Sequence, residues 1–210
     1  MVYHIRAMNL LLVRHALPDT EDGPRPDPPL SALGRAQASS LARWLAGDRL
    51  DAVYTSPLLR ARETASYLSP AAEPLDGLTE VGGAGAYVAG EDMRRNGDPR
   101  WAALISGDLA LWGTDITTFR AAVVDAIEGI VTAHPGGTVA VVTHAGVINA
   151  YLGAHLGVVD RLIFSTLDYA SVTRVIASQG GVRTISALNE RAHHCGQAAK
   201  EESTPCPVGS

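Results

Sequence analysis

The 210-residue chain has almost nothing with which to cross-link itself: its only cysteines are Cys195 and Cys206. Both lie near the C-terminus without zinc-type spacing, which excludes a disulfide framework and a structural metal as the source of the fold. Positive charge is also short, with 17 Lys and Arg against 22 Asp and Glu and a formal charge of −5. That balance excludes a broad basic surface for nucleic acid or anionic lipid but leaves room for a local arginine pocket. No apolar run approaches the roughly 20 residues of a membrane-spanning helix, and no cationic start leads into an apolar stretch and a small-residue cleavage site. These absences describe a cytoplasmic protein whose partner is a small molecule, with no nucleic acid, membrane or cofactor called for and a homodimer left open.

What is present suits a globular α/β chain, with 46% apolar and 19% charged residues. The length fits one domain, expected over residues 8–193, with residues 1–7 contributing little and residues 194–210 a disordered tail. Leu10-Leu11-Leu12-Val13 is too short for an ordinary helix and reads as a buried parallel strand that ends abruptly in Arg14 and His15. A proline-rich loop from Pro18 to Pro29 follows, either rimming a pocket or simply crossing the surface. Ser31 caps a helix whose apolar face is expected to hold Leu33, Ala36, Gln37, Ser40, Leu41, Trp44 and Leu45. Asp51 to Thr55 is a second strand, and Ser56-Pro57 are expected to cap a helix over Leu58 to Leu68, with Arg60 in its first turn.

Regular patterning is lost over residues 70–113, a glycine-rich insertion with short helical pieces near Glu91 to Arg95 and Pro99 to Ser106 that is expected to cover the site and set specificity. Thr114 to Ala133 is an amphipathic helix with Phe119, Val123, Ala126, Ile127 and Ile130 inward. Thr138 to Thr143 is a buried strand that again ends in a histidine, and His144-Ala145-Gly146 opens another helix. Two strands near Ser171 to Ala177 and Val182 to Leu188 close the sheet.

The chemistry is concentrated at two junctions of one form, Val13-Arg14-His15-Ala16 and Val142-Thr143-His144-Ala145-Gly146. Each is an apolar strand, a histidine at its carboxyl end, then small residues that let backbone N–H groups approach an anion. Neighbouring parallel strands would bring these ends together. Arg60 can join them with a guanidinium fork suited to phosphate. The end of an apolar strand is an expensive place for Arg14 unless an anion meets it. Val81-Gly82-Gly83-Ala84-Gly85 has no strong strand before it and is not a dinucleotide fingerprint, and no Gly-Lys-Ser/Thr phosphate loop is present. The His193-His194-Cys195 cluster lacks a spaced partner and is not expected to bind metal.

Four collinear segments then carry a resemblance: Leu11 to Ala16, Pro29 to Ala38, Thr55 to Ala65 and Val142 to Ile148. In order and spacing they resemble the histidine phosphatase superfamily, whose fold is phosphoglycerate mutase-like. The resemblance implies a three-layer α/β/α fold, with a mostly parallel central sheet and helices on both faces. It makes His15 the nucleophile that becomes a phosphohistidine, and it places Arg14, Arg60, His144 and Ala145 around the phosphoryl group. His15 must then attack as neutral imidazole, whereas His144 serves better as a cation.

By the same resemblance Glu80 is the proton donor, its pKa raised beside a phosphate dianion, with Glu73, Asp76 and Glu91 as substitutes and a mere surface carboxylate as the rival reading. Two departures stand out. Ala16 replaces the usual glycine, and Pro18 and Glu21 occupy positions at which the family often places phosphate-touching residues. The expected function is therefore a metal-independent phosphatase acting on a small phosphomonoester. A mutase of the same fold and a non-catalytic phosphate-binding relative are the alternatives.

Overall fold

The computed structural model describes residues 7–191, so the expected tail 194–210, the His193-His194-Cys195 cluster and the end of the expected domain lie outside the described residues. The first strand shows how the layers arise. In β1 (Met8–Arg14), Leu10 and Leu12 point to one face of the sheet and Leu11 and Val13 to the other, and all four are buried. A strand apolar on both faces has to be covered on both.

On the Leu10 side lie α5 (Ile116–Ala133), through Val123, Ile127 and Ile130, and α6 (Ala145–Leu156), through Val147, Ile148 and Tyr151. On the Leu11 side lie α1 (Ala32–Trp44), through Ala38 and Leu41, and α2 (Leu59–Ser66), through Ala61 and Ala65. Phe119 and Ala126, expected inward on α5, pack against its core only partly buried. No helix among the described residues is long and apolar enough to cross a membrane.

The remaining strands are β2 (Ala52–Thr55), β3 (Glu73–Pro74), β4 (Thr138–Thr143), β5 (Val172–Ala177) and β6 (Arg183–Glu190). They form one six-stranded sheet in the order β3-β2-β4-β1-β5-β6. Strands β3, β2, β4 and β1 run parallel, whereas β5 pairs antiparallel with both β1 and β6. The sheet is thus mixed, with one reversed strand. Two short helices, α3 (Gly90–Arg95) and α4 (Pro99–Ser106), belong to the insertion.

Two local expectations are corrected. Ser31 does cap α1, its Oγ accepting from Gly34 N at 3.0 Å, but Leu33 and Ala36 face solvent and the buried positions are Gly34, Ala38, Ser40 and Leu41. The helix is phased by Gly34, where a Cβ would stand 2.0 Å from the Leu17 carbonyl oxygen, so backbone approach outweighs the burial of Leu33. Ser56-Pro57 does not cap α2 either: the helix starts at Leu59 behind Leu58, and the carboxylate of Asp27 accepts from Leu59 N at 2.8 and 3.0 Å. An acidic side chain from the proline-rich loop does what a local cap was expected to do.

Candidate active site

Register decides which side chains meet. Pairing of β1 with β4 sets Arg14 opposite Thr143, so the next residue on each strand, His15 and His144, leaves the sheet at the same edge. His15 N donates to Thr143 O at 2.8 Å, and the two imidazole centroids are 5.1 Å apart. On the other side of β4, β2 pairs Thr55 with Val142, which starts α2 beside the same edge and delivers Arg60. Arg14, His15, Arg60, Glu80, His144 and Ala145 all line one pocket of about 430 Å³.

Each of these groups is fixed by its surroundings. His15 Nδ1 lies 2.8 Å from the carbonyl oxygen of Ala16, which can only accept, so Nδ1 carries the proton and Nε2 keeps its lone pair. Burial lowers the His15 pKa well below the ordinary histidine value, and Arg60 and Arg14 push it the same way. The guanidinium of Arg14 is buried, donates to Leu167 O and to Glu91 Oε1, and stacks 3.7 Å above the Tyr169 ring. Arg60 is buried as well, stacks 4.6 Å from the Tyr87 ring centroid and lies 3.4 Å from Asp27 Oδ1. The Tyr87 and Tyr169 hydroxyls are 2.9 Å apart, and burial raises both phenol pKa values, so the two rings stay neutral beside the arginines.

Glu80 sits against the first turn of α6. Its Oε2 accepts from Gly146 N at 3.0 Å and its Oε1 from Val81 N at 3.0 Å. Gly146 is needed for this contact, because a Cβ there would stand 2.2 Å from Glu80 Oε1. Burial raises the Glu80 pKa against the opposing pull of those two N–H groups and of Arg60 and Arg14. The direction is the expected one, but desolvation by the protein is enough to produce it. Among the substitutes, Glu91 lies in the pocket, paired with Arg14, whereas Glu73 and Asp76 line a separate groove with Tyr54.

Three further expectations change. Two of the backbone N–H groups at the junctions are already engaged, Ala16 N with Thr64 Oγ1 at 3.0 Å and Gly146 N with Glu80, which leaves fewer of them for an anion than the small residues suggest. Burial holds the His144 pKa well below its ordinary value, and His15, Arg60 and Arg14 lower it further, so the protein's own charges favour neutral rather than cationic imidazole. The loop from Pro18 to Pro29 contributes no wall to the pocket; Pro18 is buried, Glu21 is exposed, and the loop supports the site from behind, through Asp27 at Arg60 and through the Arg25 carbonyl, which accepts from Tyr87 N at 3.1 Å.

The insertion, in contrast, supplies much of the lining, from Glu80 to Trp112. The sequence does not mark Asp27, Ser56, Tyr87 or Tyr169 as site residues. Ser56 Oγ lies 2.8 Å from His144 Nε2 and orients that ring. Of these four, only Ser56 had a local signal, its place at the end of β2.

The buried polar atoms left without a hydrogen-bond partner among the described residues include Arg14 Nε, Arg60 Nε and His144 Nδ1. All three belong to residues that line the pocket, and the two guanidinium groups stay protonated, a charge that an oxyanion would match.

Comparison with known proteins shows the family and the fold. A family model described as histidine phosphatase superfamily (branch 1) matches residues 10–191. No curated protein sequence matches the chain. Among solved structures, a phosphoserine phosphatase from Entamoeba histolytica superposes with a TM-score of 0.72 at 20% identity, covering 89% of this chain and 98% of its own. A mycobacterial glucosyl-3-phosphoglycerate phosphatase does so with 0.72 at 22%, covering 87% and 99%. A phosphoglycerate mutase from Bacillus anthracis gives 0.72 at 19%, covering 90% and 96%. Likeness at these identities establishes the fold, which is phosphoglycerate mutase-like.

Proposed function

The chain belongs to the histidine phosphatase superfamily, branch 1, and on that premise we propose that it hydrolyses a small-molecule phosphomonoester through a phosphohistidine on His15, without a metal. The observation that carries this reading is the state of His15: Nδ1 is tied to the Ala16 carbonyl and Nε2 is free, in a pocket with two buried guanidinium groups. Nε2 attacks phosphorus and the bond to the ester oxygen breaks. Glu80, whose pKa burial raises, gives its proton to the departing alcohol. Water then attacks phosphorus, Glu80 takes the water proton, and the P–N bond breaks to restore His15.

Arg14 and Arg60 compensate the charge on the phosphoryl oxygens throughout. Both reactions pass through one imidazole, nucleophile in the first and leaving group in the second, and through one carboxyl group. Burial first, then His15, Arg60 and Arg14, lower the His144 pKa, and an entering dianion acts in the opposite direction, toward the protonated imidazole.

Acid-labile labelling tests the assignment. Incubation with a radiolabelled phosphomonoester and rapid quenching is expected to leave phosphate on the wild-type chain and none on His15→Ala. Equal labelling of both would remove His15 from the role. Free phosphate as the product, rather than an isomerised ester, separates hydrolysis from mutase chemistry.

A further inference from the structure

Away from the two arginines the pocket changes character. Its outer wall is built from Met93, Trp101, Leu104, Leu111, Trp112 and Ile163. Those six side chains offer little for hydrogen bonding beyond two indole N–H donors, and two polar neighbours are already engaged: Arg100 donates from Nε to Asp98 at 3.0 and 3.1 Å, and Glu91 Oε1 faces Arg14. What remains is the exposed Arg94 at the mouth, with Ser165 and Thr166. A polyhydroxylated leaving group buried here would lose water without replacing most of its hydrogen bonds, which is costly.

The two tryptophans are seated rather than loose. Gly82, at φ +88°, would place a Cβ 2.7 Å from Trp112 Cδ1, and Gly90 would place one 3.2 Å from Trp101 Cζ3, so each ring lies on bare backbone. Leu111 beside them is 68% exposed, an apolar side chain at the mouth that a ligand would cover.

Resting on the phosphatase reading, we propose that the substrate is the phosphate ester of a bulky apolar alcohol, aryl or arylalkyl, whose ring system binds between Trp101 and Trp112. The phosphate is held by Arg14, Arg60 and His144, and the apolar group by the insertion. Substrate preference is then a property of the tryptophan wall, not of the strand ends.

The test uses compounds with matched head groups. Calorimetric titration of the wild-type chain with naphthylethylphosphonate, ethylphosphonate and glycerol phosphonate is expected to give at least about 30-fold tighter binding of the first, from the apolar area it buries. Equal affinities, or tightest binding of the glycerol compound, would overturn the proposal. Hydrolysis of naphthylethyl and ethyl phosphate, both primary alkyl esters of similar leaving-group chemistry, should show the same order in kcat/KM. Trp101→Ala with Trp112→Ala should shrink the ratio to within about 3-fold; an undiminished ratio in the folded double variant counts against the wall. Should that variant not fold, the phosphonate series on the wild type decides alone. Tight naphthylethylphosphonate binding without phosphate release from any ester would sink the phosphatase reading and keep the ligand class. Efficient release without apolar preference would do the reverse.

Discussion

The two ends of the pocket are built by opposite means. At the phosphate end, Arg14, His15, Arg60 and His144 stand at the termini of strands and helices whose register is set by two buried cores, and the backbone of Arg14 and His15 is hydrogen-bonded to Ser171, Thr143 and Ala170. At the outer end, short helices and glycine turns bring tryptophan rings together with little regular structure beneath them. Invariant chemistry needs groups held to a fraction of an ångström, which a sheet edge supplies. Recognition of a leaving group needs shape, which a glycine-rich insertion can change without disturbing the sheet.

If this division holds, changes at the phosphate end should depress every substrate alike, and changes in the insertion should reorder substrates. The largest effect expected is from His15→Ala, a loss of at least ~10⁴-fold in phosphate release for all esters. A loss restricted to some esters would break the division.

Glu80→Gln should cost about 10²- to 10³-fold and remove one limb of the pH profile. The signs are as follows. His15 must be neutral, so activity falls as pH drops through its depressed pKa; Glu80 must be protonated, so activity falls as pH rises through its elevated pKa. A bell with its maximum on the acid side of the ordinary histidine value of about 6.5 is expected for kcat/KM, with the alkaline limb absent in Glu80→Gln. A profile rising through neutrality would reject Glu80 as the acid.

Gly146→Ala sharpens the same point with one atom. The new Cβ collides with the far end of a side chain rather than with backbone, so the fold should tolerate it while Glu80 is displaced. A loss of about 10-fold in kcat with the melting temperature nearly unchanged is expected.

Smaller still is the pH dependence of stability. His15 and His144 are buried with lowered pKa values, so the unfolded chain takes up protons below about pH 6.5 that the folded chain refuses, and stability falls as the medium is acidified. Each group contributes at most about 1.4 kcal/mol per pH unit. Urea midpoints at pH 7 and pH 5 measure it, and a His15→Ala variant should show a shallower decline.

The legible parts of the molecule were those in which sequence neighbours are also structural neighbours. Strands β1 and β4 declare themselves because an apolar run stops at a polar pair, and the cap at Ser31 is a contact three residues long. The illegible parts are long-range. Asp27 reaches Leu59 and Arg60 across more than thirty residues, and Tyr87 meets Tyr169 across eighty-two. Leu33 misled because apolar character is visible in a sequence, whereas the approach of Gly34 to a backbone carbonyl is not. Glu80 was found only by resemblance, since nothing in the pattern of residues 70–113 marks it.

The reversed strand has a consequence for how such a pocket can be remodelled. Because β5 runs against its neighbours, it begins at the edge where β1 and β4 end, and the chain must pass the pocket on its way in. Ile163, Ser165, Thr166 and Leu167 therefore complete the wall that the insertion begins, and this stretch gives Arg14 its carbonyl partner at Leu167 and its stacking ring at Tyr169, whose hydroxyl meets that of Tyr87 at 2.9 Å. The pocket is gripped from two stretches of chain that share no secondary structure. Residues added between α6 and β5 would narrow it without lengthening the insertion, so a designer has two handles on one cavity, joined where Tyr87 meets Tyr169.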